Sequence, residues 1–322
     1  MKNFIFSISK AALATLISTG VFASLPLSST AQVNDVIKSG PELNEISQAT
    51  TLLIVGIYDE RPVGNGSGSL IAKNGDSCIG VTNRHVIEDP SGNFTFVVRT
   101  ADNEIHPVTE IRAFSQEDLA LVTFERQQDY TPIPLATYQL SPGQNVYLSG
   151  WPADSGPSNT FIRHFTSGSI STILDVPVEG YQIGYTNVTN SGMSGGQVLD
   201  EAGRLVAIHG LGALENPSVI AHKLGVDEST AQALADKTGF NYGIPITTFL
   251  ARASQAGFNY PYTVVYSSPQ SPANGSGAAT GDYTYQPDES DQVRTDDVLS
   301  NADRLFETIN NGANTFCRFL GC

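Results

Sequence analysis

Three side chains in this 322-residue chain have the types and settings for nucleophilic chemistry: His85, Asp118 and Ser194. Ser194 lies in the stretch Thr189–Asp200, TNSGMSGGQVLD, with Gly192 two residues before it and Gly195 and Gly196 directly after it. His85 stands in TNRHVI and Asp118 in EDLALV, each beside an apolar run. A serine hydroxyl is a weak nucleophile at neutral pH. It needs a base within hydrogen-bond reach, and the base needs a third group to fix its tautomer. His85 suits the base. Asp118 suits the third group, because a carboxylate at the mouth of an apolar run is costly to bury unless something pairs with it, and a histidine N–H does so. Glu117 is adjacent, but strand alternation sends the two acids to opposite sides, and Asp118 is the choice. Ser191 lacks the two-sided glycine setting of Ser194. Those glycines allow positive φ and close backbone approach. The N–H groups of Gly192 and Ser194 can then converge on one point, as an oxyanion requires. The plainer readings are a surface histidine, a solvated turn acid and a serine in a permissive turn.

The elements that must position these residues read as strands. TLLIVGIY, GSLIAK, SCIGVTN, FTFVVRT, VTEIRAF, LALVTF, NVYLSGW, FTSGSISTI, YQIGYTNV, GQVLD and LVAIHGLG follow one another at short intervals, with turn residues between nearly all of them. RPVGNGSG reads as a glycine-rich hairpin turn. Many short strands without crossover helices predict an all-β antiparallel sandwich or barrel rather than a parallel α/β sheet. One helix is expected at Asp227–Lys237, inside an insertion over Leu214–Asn241. GIPITTFLARASQ reads as a last strand running into a short helix, and FNYPYTVVY as a segment that packs back on the domain.

The ends differ in character. Residues 1–31 read as a signal peptide: Lys2 and Lys10, an apolar Ile8–Phe22, and small residues at Ser29–Ala31. The alternative is an uncleaved anchor, but the apolar core is short and broken by Ser18 and Gly20. No other stretch is long and apolar enough to span a bilayer, so no stable membrane insertion is expected. Export implies a secreted or periplasmic protein. Residues 32–50 read as an N-terminal arm or propeptide, 267–281 as a flexible linker, and 282–322 as an acidic C-terminal tail with a helix over Val298–Leu320. That tail could dock on a partner or on the chain itself. With 17 basic against 32 acidic residues the net charge is −15, which argues against nucleic acid as a partner. Of three cysteines, Cys317 and Cys322 are candidates for a terminal disulfide, with Cys78 either buried in its strand or bridged to the tail. Scattered histidines, no HExxH and no paired cysteines give no metal or cofactor site.

TNRHVI, EDLALV and NSGMSGGQV, in that order, resemble the three signatures of chymotrypsin-fold, trypsin-like serine peptidases over roughly Leu52–Ala256. Subtilisins and α/β-hydrolases carry their residues in other orders. The resemblance implies two six-stranded antiparallel β-barrels over residues 51–266, peptide or protein substrates, and hydrolysis through an acyl-enzyme. Met193 stands where trypsin-like enzymes have the aspartate that pairs with a new N-terminus, and Asn83, Arg84 and Val86 replace their AAHC pattern. In this the chain is closer to bacterial glutamyl endopeptidases of the V8 type. In those enzymes a threonine five residues before the serine and a histidine fifteen after it contact the substrate carboxylate, and here these offsets hold Thr189 and His209. Val188 stands where trypsin-type basic specificity would need an aspartate. The resemblance thus implies cleavage after glutamate or, less often, aspartate. The alternatives are a protease that takes small or apolar residues there, with His209 structural, and a non-catalytic binding module on the same fold.

Overall fold

The computed structural model describes residues 35–126, 128–153, 160–212, 221, 226–231, 241–271 and 292–294. The expected signal peptide, Cys317, Cys322 and the expected tail helix lie outside these residues, as does most of the expected linker. Helix α1 (Gly40–Thr50) comes first. Its N-terminus is set by Ser39, whose backbone N–H donates to the Glu42 carboxylate at 2.8 Å, one half of a capping box. Leu43 is fully buried, and Asn44 and Ser47 hold the guanidinium of the buried Arg163 at 2.7 and 2.9 Å. The segment expected as an arm or propeptide therefore contains a helix packed against the fold.

Six strands follow: β1 (Thr51–Tyr58), β2 (Arg61–Asn74), β3 (Ser77–Thr82), β4 (Thr95–Arg99), β5 (Ile105–Ala113) and β6 (Ala120–Glu125). They close into an antiparallel barrel in the order β1-β2-β3-β6-β5-β4, with β4 returning to β1. The continuous apolar run of β1 reflects burial on both faces. Leu52 and Ile54 pack with Leu70, Val98 and Phe124, while Leu53, Val55 and Ile57 pack with Trp151 and Phe161. RPVGNGSG is not a turn: it forms the first half of β2, and the reversal is made by Asp59 and Glu60, both at positive φ (48° and 57°). Paired positive φ values are what a two-residue hairpin loop needs to match strand twist. Cys78 is buried in β3 with a free thiol, and burial pushes its pKa up to about 11, so it is an inert core residue.

The remaining strands are β7 (Leu135–Ala136), β8 (Asn145–Gly150), β9 (Thr160–Ile162), β10 (His164–Val178), β11 (Tyr181–Tyr185), β12 (Gln197–Leu199), β13 (Leu205–Leu211), β14 (Asn241–Pro245), β15 (Val264–Val265) and β16 (Gln292–Arg294). Strands β12-β8-β10-β11-β14-β13 form a second six-stranded antiparallel ring, closed by the β12–β13 pairing. Strands β7 and β15 extend it by parallel pairing beyond β13. Helix α2 (Ile246–Gln255) follows β14 directly, as expected, and Phe249 stacks edge-on against Tyr262 of the returning segment. Of the helix expected at Asp227–Lys237, residues 228–231 are helical and the rest lies outside the described residues. Strand β16 pairs antiparallel with β9 through Val293 opposite Phe161. The fold is all-β with two six-stranded barrels, as the strand pattern and the resemblance implied.

Candidate active site

His85 leaves β3 on a single 3-10 turn, Arg84–Val86, and Asp118 enters β6 from the loop before it. Pairing of β3 with β6, Thr82 opposite Ala120, brings the two ends together. His85 Nδ1 lies 2.6 Å from Asp118 Oδ2, and the His85 backbone N–H donates to Oδ1 at 2.9 Å. Asn83 and Arg84 brace the same loop, donating to the Asp118 carbonyl at 2.8 Å and to the Phe114 and Glu117 carbonyls at 3.1 Å. Asp118 is wholly buried. Burial alone would raise its pKa. The charge of His85 and hydrogen bonds from His85 and Tyr181 outweigh that and hold the carboxyl below its ordinary value. Glu117, as alternation requires, turns away from His85 and pairs with Arg252 of α2 at 2.5 Å.

A carboxylate on Nδ1 places the ring proton there and leaves Nε2 as a bare acceptor. Among the described residues His85 Nε2 has no hydrogen-bond partner. His85 and Ser194 line one cavity of about 220 Å³, together with Asn65, Val63, Phe94 and Gly192. The Ser194 hydroxyl itself donates to the Gly210 carbonyl at 3.2 Å. The structure thus brings the three candidates to one cleft, with the serine hydroxyl turned toward β13 rather than toward the imidazole.

The serine loop is pinned from both barrels. Ser67 of β2 donates its N–H to the Ser194 carbonyl at 2.7 Å and its hydroxyl to the Gly192 carbonyl at 3.0 Å. Gly195 donates to the His209 carbonyl at 2.8 Å, and His209 to the Gly196 carbonyl at 3.0 Å. Gly192 and Gly195 both have positive φ, 91° and 85°. A Cβ at Gly195 would stand 2.0 Å from the Ser67 carbonyl oxygen, so only glycine fits. The carbonyls of Ser191 and Met193 accept from Ala153 and Gly196 at 2.8 and 2.9 Å. Because N–H and C=O oppose each other across a planar trans peptide, these bonds orient the N–H groups of Gly192 and Ser194 to the other side. Neither N–H has a protein acceptor among the described residues.

Thr189 and His209 are both tied to β14, through Asn241 and Gly243. Thr189 donates its hydroxyl to Asn241 Oδ1 at 2.6 Å, and the Tyr185 phenol lies 2.7 Å from His209 Nδ1. Asn241 faces Tyr185 across β11 and β14, and His209 faces Gly243 across β13 and β14. Val188 is 70% exposed, while its neighbour Asn187 takes the inward position at 1%. Two braces were missed by sequence reasoning. Tyr181 donates to Asp118 Oδ2 at 2.6 Å, and Glu179 pairs with Arg84 at 2.9 Å. The Glu-Gly dipeptide before Tyr181 signals a tight hairpin, but nothing in the sequence shows that the hairpin meets the Asp118 loop.

Residues 66–208 match the family described as a trypsin-like peptidase domain. No curated protein matches the chain. Among solved structures, the serine endoprotease from Yersinia pestis is 18% identical, with 69% of this chain and 67% of that chain covered and a TM-score of 0.50. The crystal structure of Deg5 is 22% identical, covering 66% of this chain and 90% of that chain at a TM-score of 0.48. At such identity the first likeness speaks to the fold alone. The family match spans β2 to β13, from the strand that pins the serine loop to the strand beneath it, and with the two barrels it supports a chymotrypsin-fold serine peptidase.

Proposed function

We propose that the chain is a secreted or periplasmic serine endopeptidase in which His85 takes the proton of Ser194, Asp118 orients His85, and the N–H groups of Gly192 and Ser194 hold the oxyanion. The observation that carries this reading is the unpartnered Nε2 of His85, set by the 2.6 Å contact of Nδ1 with a buried carboxylate, in a residue that lines the same cleft as Ser194. Rotation of the Ser194 hydroxyl away from the Gly210 carbonyl lets it donate to Nε2. Attack on a peptide carbonyl then gives a tetrahedral intermediate, its oxyanion facing two oriented amides. Collapse passes the proton to the leaving amine and leaves an acyl-enzyme for water to release.

For the residue before the cleaved bond we propose glutamate or aspartate, bound by Thr189 and His209. Burial pushes the Tyr185 phenol well above its ordinary pKa, so it stays protonated. When this phenol donates to His209 Nδ1, the imidazole proton sits on Nε2, a donor of the kind a carboxylate requires. One observation favours a small or apolar residue instead: the Thr189 hydroxyl already donates to Asn241. The pairing of β16 with β9 supports a tail that folds back on the domain rather than reaching a partner. One experiment tests the reading. A peptide library is digested with the wild-type chain and with Ser194→Ala, and cleavages are read by mass spectrometry. Cleavage after acidic residues, lost in the variant, is the expected result. Equal cleavage by the variant removes the triad, and cleavages that do not cluster after Glu or Asp remove the roles of Thr189 and His209.

A further inference from the structure

The β10–β11 hairpin belongs to the second barrel, yet its tip grips the histidine–aspartate pair of the first. Its loop is Glu179–Gly180, both at positive φ (48° and 89°), with Val178 paired to Tyr181 across it. That is the two-residue loop that suits a tightly twisted hairpin. Three bonds leave this tip. The Glu179 carbonyl accepts the Asp118 N–H at 2.9 Å, the Glu179 carboxylate pairs with Arg84, next to His85, at 2.9 Å, and the Tyr181 hydroxyl donates to Asp118 Oδ2 at 2.6 Å.

Tyr181 is fully buried, so its hydroxyl needs a partner. A merely satisfied phenol could use any nearby acceptor. This one meets the same carboxylate oxygen that accepts His85 Nδ1. Room for it is made on β13: a Cβ at Gly210 would stand 1.9 Å from the Tyr181 hydroxyl and 2.7 Å from its ring carbons. Any other residue at 210 would displace the phenol. Gly210 is also the residue whose carbonyl receives the Ser194 hydroxyl. One strand position thus clears the space for the Asp118 donor and holds the serine at rest.

We propose that Tyr181 is a positioning residue for the His85–Asp118 pair, its hydroxyl fixing Asp118 Oδ2 from the second barrel in the space that Gly210 leaves open. Two donors on one carboxylate oxygen define its direction, and through it the plane of the imidazole. The inference rests on the triad reading above, and its first readout does not need turnover. In Tyr181→Phe the ring keeps its packing and loses one oxygen. Proton NMR of the resting enzyme reports the Nδ1 proton held between His85 and Asp118 as a far-downfield resonance, which should broaden or shift in the variant while the melting curve stays cooperative. On peptide substrates kcat should fall about 10- to 100-fold, the scale of one hydrogen bond to a charged group, with KM within about twofold. Gly210→Ala, which drives a methyl into the hydroxyl position, should reproduce the loss if the first variant folds poorly. An unmoved downfield resonance, or an unchanged kcat in both variants, overturns the proposal. A wild-type chain that shows the resonance but cleaves nothing sinks the peptidase reading instead.

Discussion

Replacing Asp118 with asparagine isolates the tautomer argument, since it changes one atom of a wholly buried group. The carboxylate faces three donors: the His85 backbone N–H on Oδ1, and His85 Nδ1 and the Tyr181 hydroxyl on Oδ2. An amide has one acceptor oxygen and one donor nitrogen, so it can be placed in two ways. With the oxygen at the Oδ2 site, its NH2 meets the His85 backbone N–H, two buried donors face to face, at a cost of about 1–3 kcal/mol. With the NH2 at the Oδ2 site, the oxygen accepts the backbone N–H, the Tyr181 hydroxyl turns to accept, and Nδ1 accepts as well. That second placement displaces only the Tyr181 O–H proton from its acceptor, against two opposed donors in the first, and is favoured roughly 5- to 150-fold where the difference is about 1–3 kcal/mol. It forces the imidazole proton onto Nε2, the atom that must receive the serine proton. The minority tautomer also faces a neutral amide rather than a charge when the imidazolium forms. Together these predict a loss in kcat of about 10⁴-fold, or about 5.5 kcal/mol of barrier. The fold should be retained, because the favoured placement keeps residue 118 bonded to the His85 backbone N–H, to Nδ1 and to the Tyr181 oxygen. The assay is steady-state hydrolysis of a peptide by Asp118→Asn beside the wild type, with circular dichroism melts of both. A variant that keeps more than a tenth of wild-type kcat would refute the reasoning, and so would one that is inactive only because it is unfolded.

Two further outcomes follow from the same contacts. Gly195→Ala forces an L-residue to φ near 85° and a methyl 2.0 Å from the Ser67 carbonyl. The left-handed conformation alone costs about 1–2 kcal/mol, and with the clash the loss should exceed about 2 kcal/mol. At about 2–4 °C per kcal/mol the melting point should drop by at least about 4 °C, and labelling of Ser194 by a fluorophosphonate should vanish; an unchanged melt contradicts the packing. Acid unfolding tests the electrostatics. The folded pKa of Asp118 lies below its unfolded value of about 3.9, so its stabilisation is complete above that value and disappears as pH falls through the folded pKa. Urea titrations between about pH 2 and 7 should therefore show a shallower acid-side loss in Asp118→Asn than in wild type, and identical slopes would mean that Asp118 is not held ionised.

The contrast between what the sequence revealed and what it hid follows from the range over which each residue is fixed. His85, Asp118 and Ser194 could be singled out as candidates because each has its own local signal: an apolar run for His85 and Asp118, glycines at positive φ for Ser194. The choice of Asp118 over Glu117 needed only strand alternation, and Glu117 indeed goes to Arg252. RPVGNGSG misled because glycine marks either a turn or a strand against which another chain packs closely. At Gly66 a Cβ would stand 2.3 Å from Val86, the neighbour of His85, so here the close approach decided. Which of Asn187 and Val188 turns inward is a one-residue parity that the sequence does not show, and Asn187 took the inward position. Tyr181 was invisible for a different reason. It lies 63 residues from Asp118 in the chain, and its role exists only once two barrels have closed and turned toward each other. Residues that do the chemistry carry local signatures, because they must leave a strand in a particular direction. A residue that aims them acts across the interface between barrels, so its identity is set by the gap left for it, and that gap is recorded in another residue: the glycine at 210 that makes room for a tyrosine at 181.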